Sequence, residues 1–340
     1  MTLAPLCLAG FAAAALGTGL VRRYALRRNI LDVPNARSSH AVPTPRGGGV
    51  AIVGAFLPLL FLARGALSVS PRLAMAMGIA GGSMALLGFL DDHGHIPAGW
   101  RLLGHFLASG WALAWLGGAW IPDFFGASFA LQVLGYVISS VGLVWLLNLY
   151  NFMDGIDGIA SLESITVCVP AALICAAVAP GGPWPLALLL AACTAGFLVW
   201  NFPPARIFMG DAGSNFLGMG IGVLAMASAA SSPKLLLVWG ILLGTFVVDA
   251  TVTLLRRLQR RERAHEAHRS HAYQYASRRY GAHRPVSIAT AAINLAWLTP
   301  MAAAVAFGWI GPLAGVAVAY VPLVALSLCF KAGAREQQEV

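Results

Sequence analysis

The residues best suited to chemistry are aspartates gathered in three short motifs. The first is Leu90-Asp91-Asp92, closing an apolar run that begins near residue 71. A helix C-terminus carries the negative end of the macrodipole, so helix stability alone would not choose two acids there. Adjacent acids on a helix also point in different directions, which suits one to a metal and the other to a substrate. The second motif is more specific: Asn148-Leu-Tyr-Asn151-Phe-Met-Asp154-Gly-Ile-Asp157-Gly158. Its two asparagines and two aspartates stand three apart and, if the segment is helical, line one face. The third is Gly210-Asp211-Ala-Gly-Ser214, where a carboxylate can meet a cation while main-chain N–H groups meet a phosphate. Asp91, Asp92, Asp154, Asp157 and Asp211 on one surface would repel one another unless a cation neutralised them. Oxygen ligands favour Mg²⁺, with Mn²⁺ as the alternative. Zinc fits poorly, because no cysteine accompanies these acids and no HExxH pattern occurs. Mg²⁺ commonly binds one or two carboxylates together with substrate phosphates, which points to phosphoryl chemistry.

Anion-binding groups stand nearby in sequence. Residues 256–285 hold an arginine-rich run and then His265, His268, Arg269 and His271, with His283 further on. Arginine and histidine donors suit a pyrophosphate. Most of the run from Arg256 to Arg263 reads as an ordinary basic anchor, whereas the histidine cluster reads as functional. The stretch from Asn35 to Gly49 has similar donor chemistry, with Thr44 and Arg46 ahead of three glycines. Asn201 and Phe208 precede Asp211, and the phenyl ring can stack on a base. Asp249 and Glu163, near the ends of apolar runs, read as supports of the site, with snorkelling or a hydrogen bond to a neighbouring helix as the alternative.

The elements that must position these groups are apolar. Of 340 residues 59% are hydrophobic and 10% charged, and the mean hydropathy is +0.76. A soluble domain carries about 25% charged residues, so the composition indicates an all-α, polytopic membrane protein with one membrane-embedded domain over residues 1–340. Eleven spans are expected: 2–21, 47–65, 71–90, 101–121, 128–149, 159–179, 183–200, 212–230, 235–255, 286–307 and 309–330. The first lacks the basic leader of a signal peptide, and Arg22, Arg23, Arg27 and Arg28 follow it. That places the N-terminus outside and the C-terminus in the cytoplasm. All but three of the 22 Lys and Arg side chains then fall in cytoplasmic loops, the exceptions being Arg64, Arg72 and Lys234. The acids played no part in this orientation, yet all five aspartates and the late histidines lie on the cytoplasmic face, in or beside loops 22–46, 91–101, 150–158, 201–211 and 256–285. The outside loops contribute only Asp123. The five cysteines (7, 168, 175, 193, 329) lie in apolar runs and read as small buried hydrophobes. The net charge of +9 suits loops that face anionic lipid better than it suits nucleic acid.

Five ordered blocks resemble the polyprenyl-phosphate N-acetylhexosaminyl-1-phosphate transferases, the MraY/WecA superfamily of glycosyltransferase family 4. They are Pro43-Thr-Pro-Arg-Gly-Gly-Gly49, Leu90-Asp-Asp92, the Asn148–Gly158 motif, the stretch from Asn201 to Ser214, and the late histidines. The resemblance implies ten or eleven helices and a cytoplasmic site in the bacterial inner membrane. It implies attack of a polyprenyl (undecaprenyl) phosphate on the β-phosphorus of a UDP-N-acetylhexosamine, with UMP leaving. Asp91 and Asp92 match the acidic pair, one of which positions or deprotonates the lipid phosphate. Asp211 matches the principal Mg²⁺ ligand and Asn151 a second metal or pyrophosphate contact. Asp154 and Asp157 match the nucleotide-sugar site, counted with the acidic pair as catalytic, and Phe208 the aromatic that stacks on uracil. Thr44, Arg46, Asn148, Asn201, His268, Arg269 and His271 are the remaining expected substrate contacts, and a homodimer is left open. The MraY branch carries three consecutive histidines where this chain has His268-Arg-Ser-His271, which favours the O-antigen-initiating subgroup.

Two rival readings fare worse. In CDP-alcohol phosphotransferases the motif resembling Asp154-Gly-Ile-Asp157-Gly continues to further aspartates, but here no acid occurs between Glu163 and Asp211. A transporter would place its ionisable groups near the midplane. Reporter fusions after Arg28, Gly94, Gly155 and Arg269 should all report cytoplasm; any one of them found outside would contradict a shared face.

Overall fold

The computed structural model describes residues 3–34, 39–40, 42–94, 96–118, 121, 126, 128–262 and 268–335. His265, Asp123 and residues 35–38 of the expected donor loop lie outside these. The chain is a helical membrane protein. Helices α1 (Leu3–Arg27), α2 (Val50–Leu62), α3 (Pro71–His93), α4 (Ala98–Leu116), α5 (Phe129–Met153), α6 (Ile159–Val178), α7 (Trp184–Asn201) and α8 (Asp211–Ala229) come first. Next are α9 (Lys234–Leu242), α10 (Gly244–Gln259), α11 (Ala272–Tyr280) and α12 (His283–Ile293). A π-helical turn (Asn294–Leu298), α13 (Thr299–Ala306) and α14 (Pro312–Cys329) complete the described part. Strands β1 (Leu31–Asp32) and β2 (Thr44–Pro45) pair antiparallel, with Leu31 opposite Pro45 and Asp32 opposite Thr44.

Local chemistry sets several boundaries. Ser70 accepts the Leu73 N–H at 3.1 Å, and Pro71 occupies the first turn of α3, where a missing N–H costs nothing. Ser128 starts α5 in the same way. Every one of the eleven expected segments is helical where described, but among the described residues eight helices are long and apolar enough to cross a bilayer, or nine if α9 and α10 form one span. The difference has physical causes. Helix α2 has only 13 residues, short of the roughly 20 a crossing needs. Helix α4 carries Arg101 and His105 along its length. The expected span 235–255 is broken: α9 and α10 meet at 77° about Leu243.

Polar side chains hold that break. Glu163 of α6 is fully buried and accepts hydrogen bonds from Asn294 Nδ2 at 2.6 Å and Thr245 Oγ1 at 2.9 Å. It thereby ties α6 to the first turn of α10 and to the π-helical turn. Asp249, also buried, accepts the main-chain N–H groups of Ala272 and Tyr273 at 2.9 and 3.0 Å and so anchors the start of α11. Both acids thus brace neighbouring helices, the alternative open to them from sequence.

Helix α8 is the centre of the fold. Nearly all of its apolar stretch is buried, and it packs chiefly on α3 and α5. Its first turn is gripped by two glycines. A Cβ on Gly88 of α3 would lie 2.4 Å from the carbonyl carbon and oxygen of Asp211, and one on Gly49 would lie 2.4 Å from the Gly213 Cα. Only glycine permits main chains to approach so closely. Gly88→Ala should therefore lower thermal stability by about 1–3 kcal/mol. Gly82→Ala on the same helix, where a Cβ meets nothing nearer than 3.5 Å, should not. Equal melting of the two variants in detergent would contradict the clamp.

Candidate active site

A cavity of about 250 Å³ lies where the ends of α3, α5, α7 and α8 meet β1 and the start of α12. Its lining includes Asp92, Asp154, Asp157 and Asp211, together with Arg46, Asn151, Asn201 and Phe208. Eight of the fourteen expected site residues thus converge on one space, from segments separated by more than 150 positions.

Asp92 resolves the puzzle of acids at a helix C-terminus. Its carboxylate sits at the wrong end of α3 but against the N-terminal end of α8, where Oδ2 faces the Ala212 N–H at 3.4 Å. The positive pole of α8 compensates the negative pole of α3. Asp91 points elsewhere. It pairs with Arg101 Nη1 at 2.5 Å and accepts the Ile96 N–H at 2.8 Å, and it lines an adjoining cleft of about 360 Å³ that also touches Arg46, Asp92 and Asp211. The two neighbours do have different surroundings, as their adjacency suggests.

Asp211 opens α8. Asn151 Nδ2 donates to its Oδ1 at 2.9 Å and to Ser214 Oγ at 3.0 Å, while Arg101 Nη1 stands 3.9 Å from its Oδ2. Arg46 donates through Nη2 to the main-chain oxygen of Asp92. Its buried Nε–H has no acceptor among the described residues, a donor matched to an anion. The carboxylates differ in electrostatics. Burial, reinforced by the charges of Asp211, Asp92 and Asp157, pushes Asp154 well above the usual carboxylate range. Burial would also raise Asp157, but the His283 hydrogen bond, the Ala205 N–H and the charges of His283 and His40 outweigh it and hold the group low. The cavity thus pushes two of its aspartates in opposite directions, Asp154 up and Asp157 down.

The repeat from Asn148 to Asp157 does not run along one helical face. Helix α5 stops at Met153, with Asp154 as its cap, so only the asparagines are helical. Asn148 turns away from the cavity, with Nδ2 3.3 Å from His105 Nδ1 and donating to the Val144 carbonyl at 2.7 Å. Asn201 lines the cavity and is also a brace: Oδ1 accepts the Gly158 N–H at 3.1 Å, and Nδ2 donates to the Ile207 carbonyl at 3.1 Å. Thr44 lies outside the main cavity, buried in β2, and borders a neighbouring groove of about 450 Å³ that shares Phe208 and Asp157. His268, Arg269 and His271 do not line the main cavity. His271 is buried against Asp249 at 3.3 Å, and His268 stacks on it with ring centroids 4.9 Å apart. Burial, with the charges of His271 and Arg257, pushes His268 down to about 3. The helix they precede reaches the site instead, because Gln274 lines the cavity and Tyr273 donates to the Phe152 carbonyl at 2.9 Å.

Comparison with known proteins agrees with this geometry. Glycosyl transferase family 4 matches residues 73–229. The probable undecaprenyl-phosphate N-acetylglucosaminyl 1-phosphate transferase of Bacillus subtilis is 30% identical over 267 residues, covering 75% of this chain and 72% of that protein. The chain belongs to this family. The decaprenyl-phosphate N-acetylglucosaminephosphotransferase of Mycolicibacterium smegmatis is 30% identical over 247 residues, and the chain spans 60% of its length. The phospho-N-acetylmuramoyl-pentapeptide-transferase of Moorella thermoacetica is 29% identical over 280 residues, covering 75% of this chain and 82% of that one.

Within this family 4 chain the matched segment contains every aspartate of the cavity except Asp32. Arg46, His40, Gln274 and His283 reach the cavity from outside it. Sequence reasoning gave no role to Asp32, Gln274 or Arg101. Asp32 and Gln274 stand in no motif, and Arg101 read only as a loop cation. His40 and His283 were visible as histidines of the basic loops, but their partners were not.

Proposed function

We propose that this cavity transfers an N-acetylhexosamine-1-phosphate, or a deoxy relative, from a UDP-sugar to a polyprenyl phosphate such as undecaprenyl phosphate, releasing UMP. The observation that carries the reading is the meeting of four aspartates with Arg46 and Asn151 in one cavity of a family 4 chain. The relatives' names, which specify polyprenyl phosphates and amino-sugar phosphates, support the substrate classes.

The donor chemistry of the site suits a hard cation. Among the described residues no three His, Cys, Asp or Glu side chains gather closely enough to cage an ion alone. Mg²⁺ does not require a cage, since it keeps waters and takes substrate phosphates as ligands. Asp211 and Asn151 would hold it, with Mn²⁺ as the alternative, and when bound it supplies charge neutralisation and polarises phosphoryl oxygens. Asp92, facing the cavity, positions or deprotonates the lipid phosphate. Arg46 offers its free N–H to a phosphate oxygen, and Phe208 presents a face to the uracil. Asp91 acts at one remove by holding Arg101 beside Asp211. The lipid phosphate attacks the β-phosphorus, the bond to the α-phosphate bridging oxygen breaks, and UMP carries that oxygen away. Positioning and charge stabilisation supply the rate, as in other phosphoryl transfers.

The charge asymmetry of the loops supports a cytoplasmic site, where the sugar nucleotide arrives while the prenyl tail stays in the bilayer. The spaced His268 and His271 support a product that begins a cell-surface polysaccharide such as O-antigen. The test is lipid-dependent, Mg²⁺-dependent UMP release by purified protein. Asp211→Asn and Asp92→Asn should each reduce it by more than about a hundredfold while leaving the protein folded, because charge is lost with little change of shape. Wild-type turnover in either variant would remove that residue from the mechanism, and release of CMP from a CDP-alcohol would overturn the reading itself.

A further inference from the structure

We propose that His283 is a positioning residue for the nucleotide donor, clasping the Ser39–His40 segment onto the Asp157 turn. The inference rests on the reading above and names a residue which that reading does not use. His283 opens α12 and lies in the lining of both the main cavity and the groove beside it. Its Nε2 is 2.8 Å from the Ser39 carbonyl oxygen, an acceptor that requires this nitrogen to carry a proton. Its Nδ1 is 3.1 Å from Asp157 Oδ1 and 3.3 Å from the Asp157 N–H. Whichever state the imidazole adopts, that edge has a partner: the neutral ring accepts the N–H, and the charged ring donates to the carboxylate. One turn along α12, Ser287 Oγ donates to the Asp157 main-chain oxygen at 2.7 Å, so one face of the helix grips the turn twice.

The clasp joins the Ser39–His40 segment directly to the Asp157 turn, which the remaining described contacts link only by way of Phe208. Asp157 Oδ2 accepts the Ala205 N–H at 2.9 Å, tying the turn to the stretch that carries Phe208. The His40 ring stands edge-on to Phe208, with centroids 4.8 Å apart and planes at 67°. Its Nε2 lies 3.3 Å from the Asp32 main-chain oxygen, which returns the segment to β1. Between Ser39 and α12 the described polar contact is the His283 ring alone. A flat aromatic base that enters beside Phe208 therefore meets a wall whose far side is held by this imidazole. Removal of the ring leaves Asp157 its Ala205 contact but releases Ser39 and His40 from the turn.

The two edges of the ring can be tested separately. Glutamine places an N–H near the position of Nε2, and asparagine places an amide near the position of Nδ1. Donor KM, acceptor KM and kcat should be measured for the wild type, His283→Ala, His283→Gln and His283→Asn, together with the affinity of each for UDP. His283→Ala should raise the donor KM and weaken UDP about tenfold, leaving kcat and the acceptor KM within about threefold, because a contact common to ground and transition states acts on KM. His283→Gln should restore most of the donor KM, and His283→Asn should not. Hydrogen exchange of the peptide containing Ser39 and His40 should be slowed by UDP in the wild type and much less in His283→Ala. An unchanged UDP affinity in His283→Ala would overturn the proposal. So would equal losses in kcat and both KM values, or equal rescue by the two amides, since each marks a residue that only supports the fold. If the wild type binds UDP but transfers no sugar phosphate, the functional reading fails while the UDP affinities still decide the clasp. If UDP does not bind, both fall.

Discussion

The abutment of two helix ends governs the site. The C-terminal turn of α3 meets the N-terminal turn of α8, so the Asp92 carboxylate lies where one macrodipole repels it and the other holds it. Gly88 permits the contact, because any side chain there would strike the main chain of Asp211. Asp211 is the first residue of α8, so the same contact fixes both acids. Asn151 then reaches Asp211 from α5, and Arg101 stands close by on α4. The remaining residues of the cavity are arranged around a pair of carboxylates that the helix packing brings together.

Concentrating negative charge in this way is costly, and the fold distributes the cost unequally. Asp91 has an arginine and an N–H, and Asp157 has a histidine and an N–H. Asp154 has neither: among the described residues no donor reaches its carboxylate, and its neighbours are acids. A site that satisfies its outer carboxylates and leaves the inner one unsatisfied is organised to receive positive charge. Arg46 complements this, with an N–H that no group among the described residues accepts. An unpaired donor beside an unsatisfied acid suits a ligand that carries both an anionic and a donor or cationic group.

Much of this was legible in the chain. The apolar runs marked the long helices, because a span must satisfy its main-chain groups internally and therefore reads as a long apolar segment, but not the polar α11, which lies in the expected loop 256–285. The aspartate motifs marked the main lining of the cavity, since acids beside lipid need a reason. The break between α9 and α10 was not legible, because the first turn of α10 is held through Thr245 by Glu163 and Asn294, distant in sequence, and no local residue announces them. Asn148 was misplaced on one face with Asp157 because the three-residue spacing continues past the point where α5 ends. The late histidines illustrate a different limit. Sequence shows which residues can donate a hydrogen bond but not where they point, and His271 turns toward Asp249 while His283 turns toward Asp157.

The proposed cation site is at Asp211, at the tip of the α3–α8 junction. Anomalous scattering from Mn²⁺ in crystals grown with UDP tests this most directly. A strong peak beside the Asp211 carboxylate is the expected result, since oxygen ligands there would hold the ion. A peak held by Asp91 and away from Asp211, or UDP bound in the cavity with no Mn²⁺ beside Asp211, would contradict it.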